Sequence, residues 1–270
     1  MLATEHPAFV CICLPNQNHF ETTLKLLRAD IPMLVENPLV FKREQADTLL
    51  KEARLRGLFF AINFNHRYAQ PMQMARQALQ AGRLGEIIFA TWRFGGEWCS
   101  DHPFANLIET QCHGFDSLEF LCGPIKSIIA EMTDKTENGF CTLALALRFV
   151  NAAVGSLLGT YDSSYAYHDT QRLEINGTQG RVLIEDAVRR YSFQPAGSET
   201  AEVWQADYFN DFDREFHRTF DKHFDAVITA FAASKPPPVP AAAGARALEL
   251  ALASIESFNT ARQVHVDPQR

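Results

Sequence analysis

Glu109, His113 and Asp116 are spaced i, i+4, i+7 in a stretch with helical periodicity, which at 100° per residue turns all three toward nearly one face. A neutral imidazole with a carboxylate one turn away is suited to moving a proton, because the carboxylate fixes the tautomer and stabilises the imidazolium. The same groups would also serve a metal ion, and a plain polar helix face with an i,i+4 Glu–His pair has the same spacing. No second histidine or cysteine is tied to the cluster by spacing, so no metal is expected. Cys112 stands beside His113, but nothing visible in the sequence would lower its pKa.

A second set of polar residues sits where apolar runs stop. Phe9–Leu14 is a continuous apolar run that closes on Pro15-Asn16 and is followed by helical periodicity through His19, Thr23, Leu26 and Leu27. Residues 32–36 predict a second strand, 42–56 an amphipathic helix and 58–64 a third strand, giving the order β-α-β-α-β of a parallel sheet with right-handed crossovers. Ligands of open α/β sheets bind at the carboxyl ends of the strands. Pro15-Asn16, Glu36-Asn37-Pro38 and His66-Arg67-Tyr68 occupy three such ends.

Residues 7–41 read as the back half of a nucleotide-binding α/β domain without its phosphate grip. No glycine precedes Gly57 and no Gly-x-Gly occurs, whereas a dinucleotide fold needs a glycine turn so that backbone amides can approach the pyrophosphate. Strands that are apolar on both faces expect neighbours, so such a fragment is expected to leave an exposed apolar edge.

After a helix at 70–81 the pattern changes to runs at 86–94, 125–133, 141–149, 153–160, 172–175, 182–184 and 191–193, separated by turns such as Asn176-Gly177. These predict an antiparallel sheet, interrupted by one helix at about 107–121 that ends at Gly123-Pro124. Phe209, Phe212, Phe216, Phe220, Phe224, Ile228 and Phe231 recur every three or four residues in a long helix and are expected to pack against the core. Lys235–Pro240 reads as a stiff connector to a last helix at 242–260. The fold class is therefore α/β plus α+β: a partial Rossmann-like parallel sheet with its glycine-loop half missing, then a large, mainly antiparallel open-faced sheet with packed helices. The domains expected are 1–66 and 67–270.

With 47% apolar residues in 270, the chain can bury a substantial core. A net charge of −7 and the lack of a basic cluster argue against nucleic acid or an anionic membrane as a partner. No apolar run approaches the roughly 20 residues that span a bilayer, and a cytoplasmic location is expected. The six cysteines contain no Cys-x-x-Cys and mostly lie in apolar runs, which predicts buried thiols.

Residues 14–19 (Leu-Pro-Asn-Gln-Asn-His), 35–39 (Val-Glu-Asn-Pro-Leu), 64–68 (Phe-Asn-His-Arg-Tyr), 81–85, Glu109 to Asp116, 174–180 and the proline run near the end occur in an order that resembles the Gfo/Idh/MocA oxidoreductases across essentially the whole chain. These are nicotinamide-dependent sugar, inositol and related polyol dehydrogenases. The resemblance implies NAD or NADP as cofactor, with Pro15, Asn16, His19, Glu36, Asn37, Pro38 and Arg67 at its nicotinamide end. It implies His113 as the catalytic histidine that exchanges the hydroxyl proton, with Glu109 where the family usually has Asp, and it puts Trp98 and Asp116 on the substrate side. Asn37 replaces the family lysine, which removes a cation that would stabilise a developing alkoxide. Ala105-Asn106-Leu107 replaces a glycine-rich approach to the histidine, and roughly two βα units of the family have no counterpart before Met1. Weak or no NAD(P) binding is therefore expected of this chain alone. The alternative is a non-catalytic sugar-binding or assembly module. A homo-oligomer through the antiparallel sheet, or pairing with a full-length relative, is expected in either case.

Overall fold

The computed structural model describes residues 2–207, 209 and 212–268, with side chains at 2, 3 and 212–214 outside the description. The chain divides into two compact units, Met1–Phe64 with Asp221–Glu249, and Asn65–Phe220 with Leu250–Arg270. In chain order the elements are α1 (Leu2–Glu5), β1 (Val10–Ile12), α2 (His19–Arg28), β2 (Met33–Glu36), α3 (Arg43–Arg56), β3 (Phe60–Asn63), α4 (Gln70–Gln80), β4 (Ile87–Gly95), α5 (Cys112–Cys122), β5 (Ile125–Thr133), β6 (Thr142–Phe149), β7 (Val154–Thr160), β8 (Gln171–Gly177), β9 (Gly180–Glu185), β10 (Arg190–Pro195), β11 (Glu202–Gln205), α6 (Phe212–Ala232), α7 (Ala241–Thr260) and β12 (Val264–His265). None of the described helices is long and apolar enough to cross a membrane.

In the smaller unit β1, β2 and β3 form a parallel sheet in that order, with Cys11, Leu34 and Ala61 in register across it. Leu34 and Ala61 pack with Val227 of α6, and Phe9 and Phe59 add to that cluster. Gly57 ends α3 in the left-handed region at φ +61°, a conformation that costs a side-chain-bearing residue about 1 kcal/mol or more. The proline run is more than a connector, because Ile62 N donates to Val239 O (3.1 Å) and Ala61 bridges Pro240, closing the β3 edge. On the other side β1 pairs only with β2 among the described residues. Cys11 and Cys13 are exposed there, contrary to the expectation of buried thiols, since no neighbouring strand covers them. Cys99 is exposed as well, whereas Cys112, Cys122 and Cys141 are buried.

The larger unit is built on a nine-stranded sheet in the order β11-β10-β9-β8-β4-β7-β6-β5-β12. All pairs are antiparallel except β4 with β7, a parallel pair that hairpin turns in the sequence do not announce. Alternating burial along β6 gives one covered face and one open face. On the β5 to β7 portion Ile129, Val154 and Leu158 are exposed. Gly114 lets α5 approach the sheet, since a Cβ there would lie 2.6 Å from Trp92 Nε1 and 3.0 Å from Leu157 Cδ1.

The phenylalanine stripe packs only in part: Phe216 lies edge-on to His66 and Phe231 against Phe9 and Phe59, but the rest of the described stripe does not form the core as expected. The line that α6 buries is Glu215, Thr219, His223 and Val227, while Phe220, Phe224 and Ile228 are exposed and Phe209 precedes the helix at 76% exposure. The side chain of Phe212 lies outside the described residues. Both lines repeat every four residues and differ by one 100° step, so periodicity cannot choose between them. Specific bonds decide: Thr219 Oγ1 accepts from Asn65 Nδ2 (2.8 Å), and His223 Nδ1 meets Asn63 Oδ1 (2.7 Å).

Candidate active site

The chain between Ala105 and Cys122 is not one α-helix. Asn106–Thr110 is a π-helical turn, closed by Gln111 N donating to Asn106 O (2.9 Å), and α5 begins only at Cys112. The cause is the buried Gln111 side chain: its Nε2 donates to Asn106 Oδ1 (3.0 Å) and Phe94 O (3.3 Å), and its Oε1 accepts from Trp92 Nε1 (3.1 Å). Asn106 Nδ2 in turn donates to Cys141 O (2.6 Å). The additional residue in the turn breaks the expected i, i+4, i+7 geometry. His113 and Asp116 stay together on α5, and half-buried Glu109 lies before it. Single-turn π-bulges of this sort are frequent at functional sites.

His113 is half-buried, and the ring of His66 lies against it with centroids 4.2 Å apart and planes 17° apart. Burial, and then the neighbouring His66, hold the His113 pKa well below its ordinary value. Burial alone lowers His66 to about 4. Both imidazoles are thus neutral near pH 7. One residue after His66, Arg67 grips the buried Asp116 with two hydrogen bonds, Nε to Oδ2 (2.8 Å) and Nη2 to Oδ1 (2.5 Å), and its guanidinium also lies 4.8 Å over the Phe120 ring. Burial pushes the Asp116 carboxyl up, opposed by these bonds. Cys112 donates its thiol to Glu109 O (3.1 Å), and burial raises its pKa strongly, so it is no nucleophile. Trp98 is 60% exposed in the loop after β4.

These shifts have a sign that folding stability reports. His66 takes up a proton near pH 6.5 when unfolded but only near 4 when folded, so the unfolded chain binds more protons in that window and stability falls as pH falls through it. The loss from His66 alone approaches ~3 kcal/mol below pH 4. Urea unfolding at pH 7 and pH 4.5 is expected to show most of it, removed in His66→Phe; equal acid sensitivity of the two chains would contradict this.

In the smaller unit the strand ends form a separate polar cluster. Asn16 opens the turn after β1, Glu36 ends β2 with Asn37 just after it, and Asn63 ends β3. Asn63 Nδ2 donates to Glu36 Oε1 (2.8 Å), and Asn37 Nδ2 donates to Asn63 O (3.1 Å). With its amide nitrogen on Glu36, Asn63 offers Oδ1 to His223, whose Nδ1 therefore carries the proton. Burial raises the Glu36 pKa. The His19 ring is fully buried, with Nδ1 2.8 Å from Pro38 O and Nε2 2.9 Å from Leu14 O, so it bridges the Pro15-Asn16 loop to the cis Asn37-Pro38 loop. Asn63, Gln111 and His223 were not singled out by sequence. A signal exists for Asn63 alone, an amide that closes the otherwise apolar strand Phe60–Asn63.

Among the described residues no group of three or more His, Cys, Asp or Glu is placed to hold a metal. One unit thus holds a parallel βαβ sheet with polar strand ends, the arrangement at which open α/β sheets bind ligands, and the other a large mixed sheet. The chain belongs to the Gfo/Idh/MocA oxidoreductase family: residues 1–64 match its NAD-binding Rossmann fold and residues 76–266 its C-terminal alpha/beta domain. It is 38% identical over 93 residues to the D-glucoside 3-dehydrogenase of Escherichia coli, a match covering 34% of this chain and only 26% of that protein. It is 22% identical over 279 residues to the scyllo-inositol 2-dehydrogenase (NAD(+)) of Bacillus subtilis, covering 97% of this chain and 78% of that one. Among solved structures, a levoglucosan dehydrogenase in complex with NADH and L-sorbose shares the fold with a TM-score of 0.87 at 17% identity, covering 98% of this chain and 81% of the other.

A nicotinamide dinucleotide fits these residues in part. Asn16, Glu36, Asn37 and Asn63 supply donors and acceptors suited to a carboxamide-bearing ring. The glycines of the smaller unit are Gly57 and Gly244. Gly57 terminates α3, and Gly244 is packed against Ile62 and Leu39.

Proposed function

We propose that this chain is an NAD(P)-dependent oxidoreductase acting on a secondary alcohol of a sugar or polyol, lacking in itself a strong grip on the cofactor's phosphates. Residues 1–66 are read as a dinucleotide-binding domain and 67–270 as the substrate and oligomerisation domain. The observation that carries the reading is His113: a half-buried, neutral imidazole on α5, set behind a π-turn.

In this reading His113 accepts the proton of the substrate hydroxyl. A bound nicotinamide would supply the hydride acceptor. Pro15, Asn16, Glu36, Asn37 and Pro38 line the nicotinamide end, while His19 positions their two loops through its carbonyl contacts. Arg67 acts through Asp116 by fixing the register of the His66 turn on α5. Glu109 and Trp98 contribute to the substrate side. The exposed Ile129, Val154 and Leu158 support self-association through the open sheet face.

The test is turnover. Purified chain with millimolar NAD⁺ or NADP⁺ and a polyol probe, myo-inositol first, is expected to accumulate reduced cofactor slowly but measurably. Asn37, whose amide bonds Asn63 O in place of the family lysine, favours the competing reading of a non-catalytic binding or assembly module. No turnover of any sugar or polyol under conditions where a relative is active would favour that alternative.

A further inference from the structure

Gln111 shapes the π-turn but takes no part in the chemistry proposed above. We propose that Gln111 is a positioning residue for His113: its buried amide ties the turn before the imidazole to the sheet and so fixes the direction in which that ring faces. The inference rests on the reading of His113 as proton acceptor.

His113 is the second residue of α5, directly after the π-turn, so its orientation is set by how that turn is held. The turn is tied to three strands that are neighbours in the sheet, β4, β7 and β6. Gln111 takes β4: Oε1 accepts from Trp92 Nε1 (3.1 Å) and Nε2 donates to Phe94 O (3.3 Å). Thr110 takes β7, with Oγ1 2.5 Å from the hydroxyl of Tyr161, the residue after that strand. Asn106 takes β6, where Nδ2 donates to the carbonyl of Cys141, the residue before the strand (2.6 Å). Gln111 Nε2 also donates to Asn106 Oδ1 (3.0 Å), which joins the two amides. Room for them is made on β7, since a Cβ at Gly159 would lie 2.6 Å from Gln111 Cδ and 2.7 Å from its Nε2. A glycine inside a strand marks such a close approach. Gln111 and Asn106 are both 0% exposed, and an apolar pair would fill this core without the desolvation of two amides but would specify no register. Past His113, α5 is held by Gly114 against Trp92 and by Arg67 on Asp116. Gln111 is the matching hold on the near side. Its loss lets the turn close with ordinary i to i−4 bonds, and a one-residue change of register swings one side of a helix by roughly 100° against the other.

The test is kinetic and spectroscopic, on the whole chain. Gln111→Met keeps the length of the side chain and removes its hydrogen bonds, whereas Gly159→Ala crowds the amide from β7 without touching a polar group. In each, kcat for the polyol probe is expected to fall roughly 10²-fold, the loss that a displacement of about 1 Å causes, with KM little changed. The NMR signals of the His113 ring are expected to shift in both, which reports its place against His66 without cofactor or substrate. Should one variant fail to fold, the other decides. Val182→Ala, a core truncation on β9, is expected to lower stability but to leave kcat and those signals as in the parent. An equal fall in kcat there, or parent-like turnover and ring signals in a folded Gln111→Met or Gly159→Ala chain, would overturn the proposal while leaving the role of His113 intact. Full turnover in His113→Asn would instead remove that role, and displaced ring signals in Gln111→Met would still make Gln111 the residue that holds the ring.

Discussion

Replacing His113 with asparagine is expected to lower the turnover number by roughly 10²–10⁴-fold, the usual contribution of a positioned general base. Asparagine approximates the shape of the imidazole and keeps a donor, but it has no basic nitrogen to take the hydroxyl proton. The packing of α5 depends on Phe115, Leu118 and the glycine at 114 rather than on the imidazole, so the fold should survive. The Michaelis constant is expected to change little, because the interaction lost belongs to the transition state. A loss below about tenfold would mean that another group accepts the proton.

Arg67→Ala is expected to cost about 3–5 kcal/mol of folding stability, measured by urea denaturation near neutral pH. The size follows from what is left behind. Asp116 has a side chain only 3% exposed, and without the guanidinium its carboxylate is buried with no counter-charge. Burial already raises its pKa, so the variant should regain part of the loss in acid as the carboxyl takes up a proton. Arg67→Lys should fall between, since an ammonium cannot reproduce the two-pronged grip. Removing both partners, in Arg67→Ala with Asp116→Ala, should be milder than removing the arginine alone. A single variant as stable as the parent would show that the pair contributes nothing.

Much of this was legible from residue order. The three parallel strands, the amphipathic helices between them and the strand-end polar residues followed from apolar runs stopped by Pro15-Asn16, Glu36-Asn37-Pro38 and His66-Arg67-Tyr68, and the motif order pointed to the family that the comparisons establish. What escaped depends on bonds between residues distant in sequence. The π-turn exists because Gln111 reaches Trp92 and Phe94 on β4, so no count along the helix can find it. The choice of face on α6 was settled by Asn63 and Asn65 from more than 150 residues away. β4 pairs in parallel with β7 although two hairpin strands intervene, and β11 and β12 are too short to stand out by alternation. The stack of His66 on His113 joins two positions 47 apart in number, each of which reads locally as an ordinary polar residue.

One comparison tests most directly the proposal that this chain binds the nicotinamide end of a cofactor without a strong grip on its phosphates. Calorimetric titration of the purified chain with NADH and, separately, with reduced nicotinamide mononucleotide should give similar, millimolar dissociation constants, because this sequence has no Gly-x-Gly turn to meet the added adenosine phosphate. Micromolar NADH binding, roughly 1,000-fold or about 4 kcal/mol tighter than the mononucleotide, would contradict it.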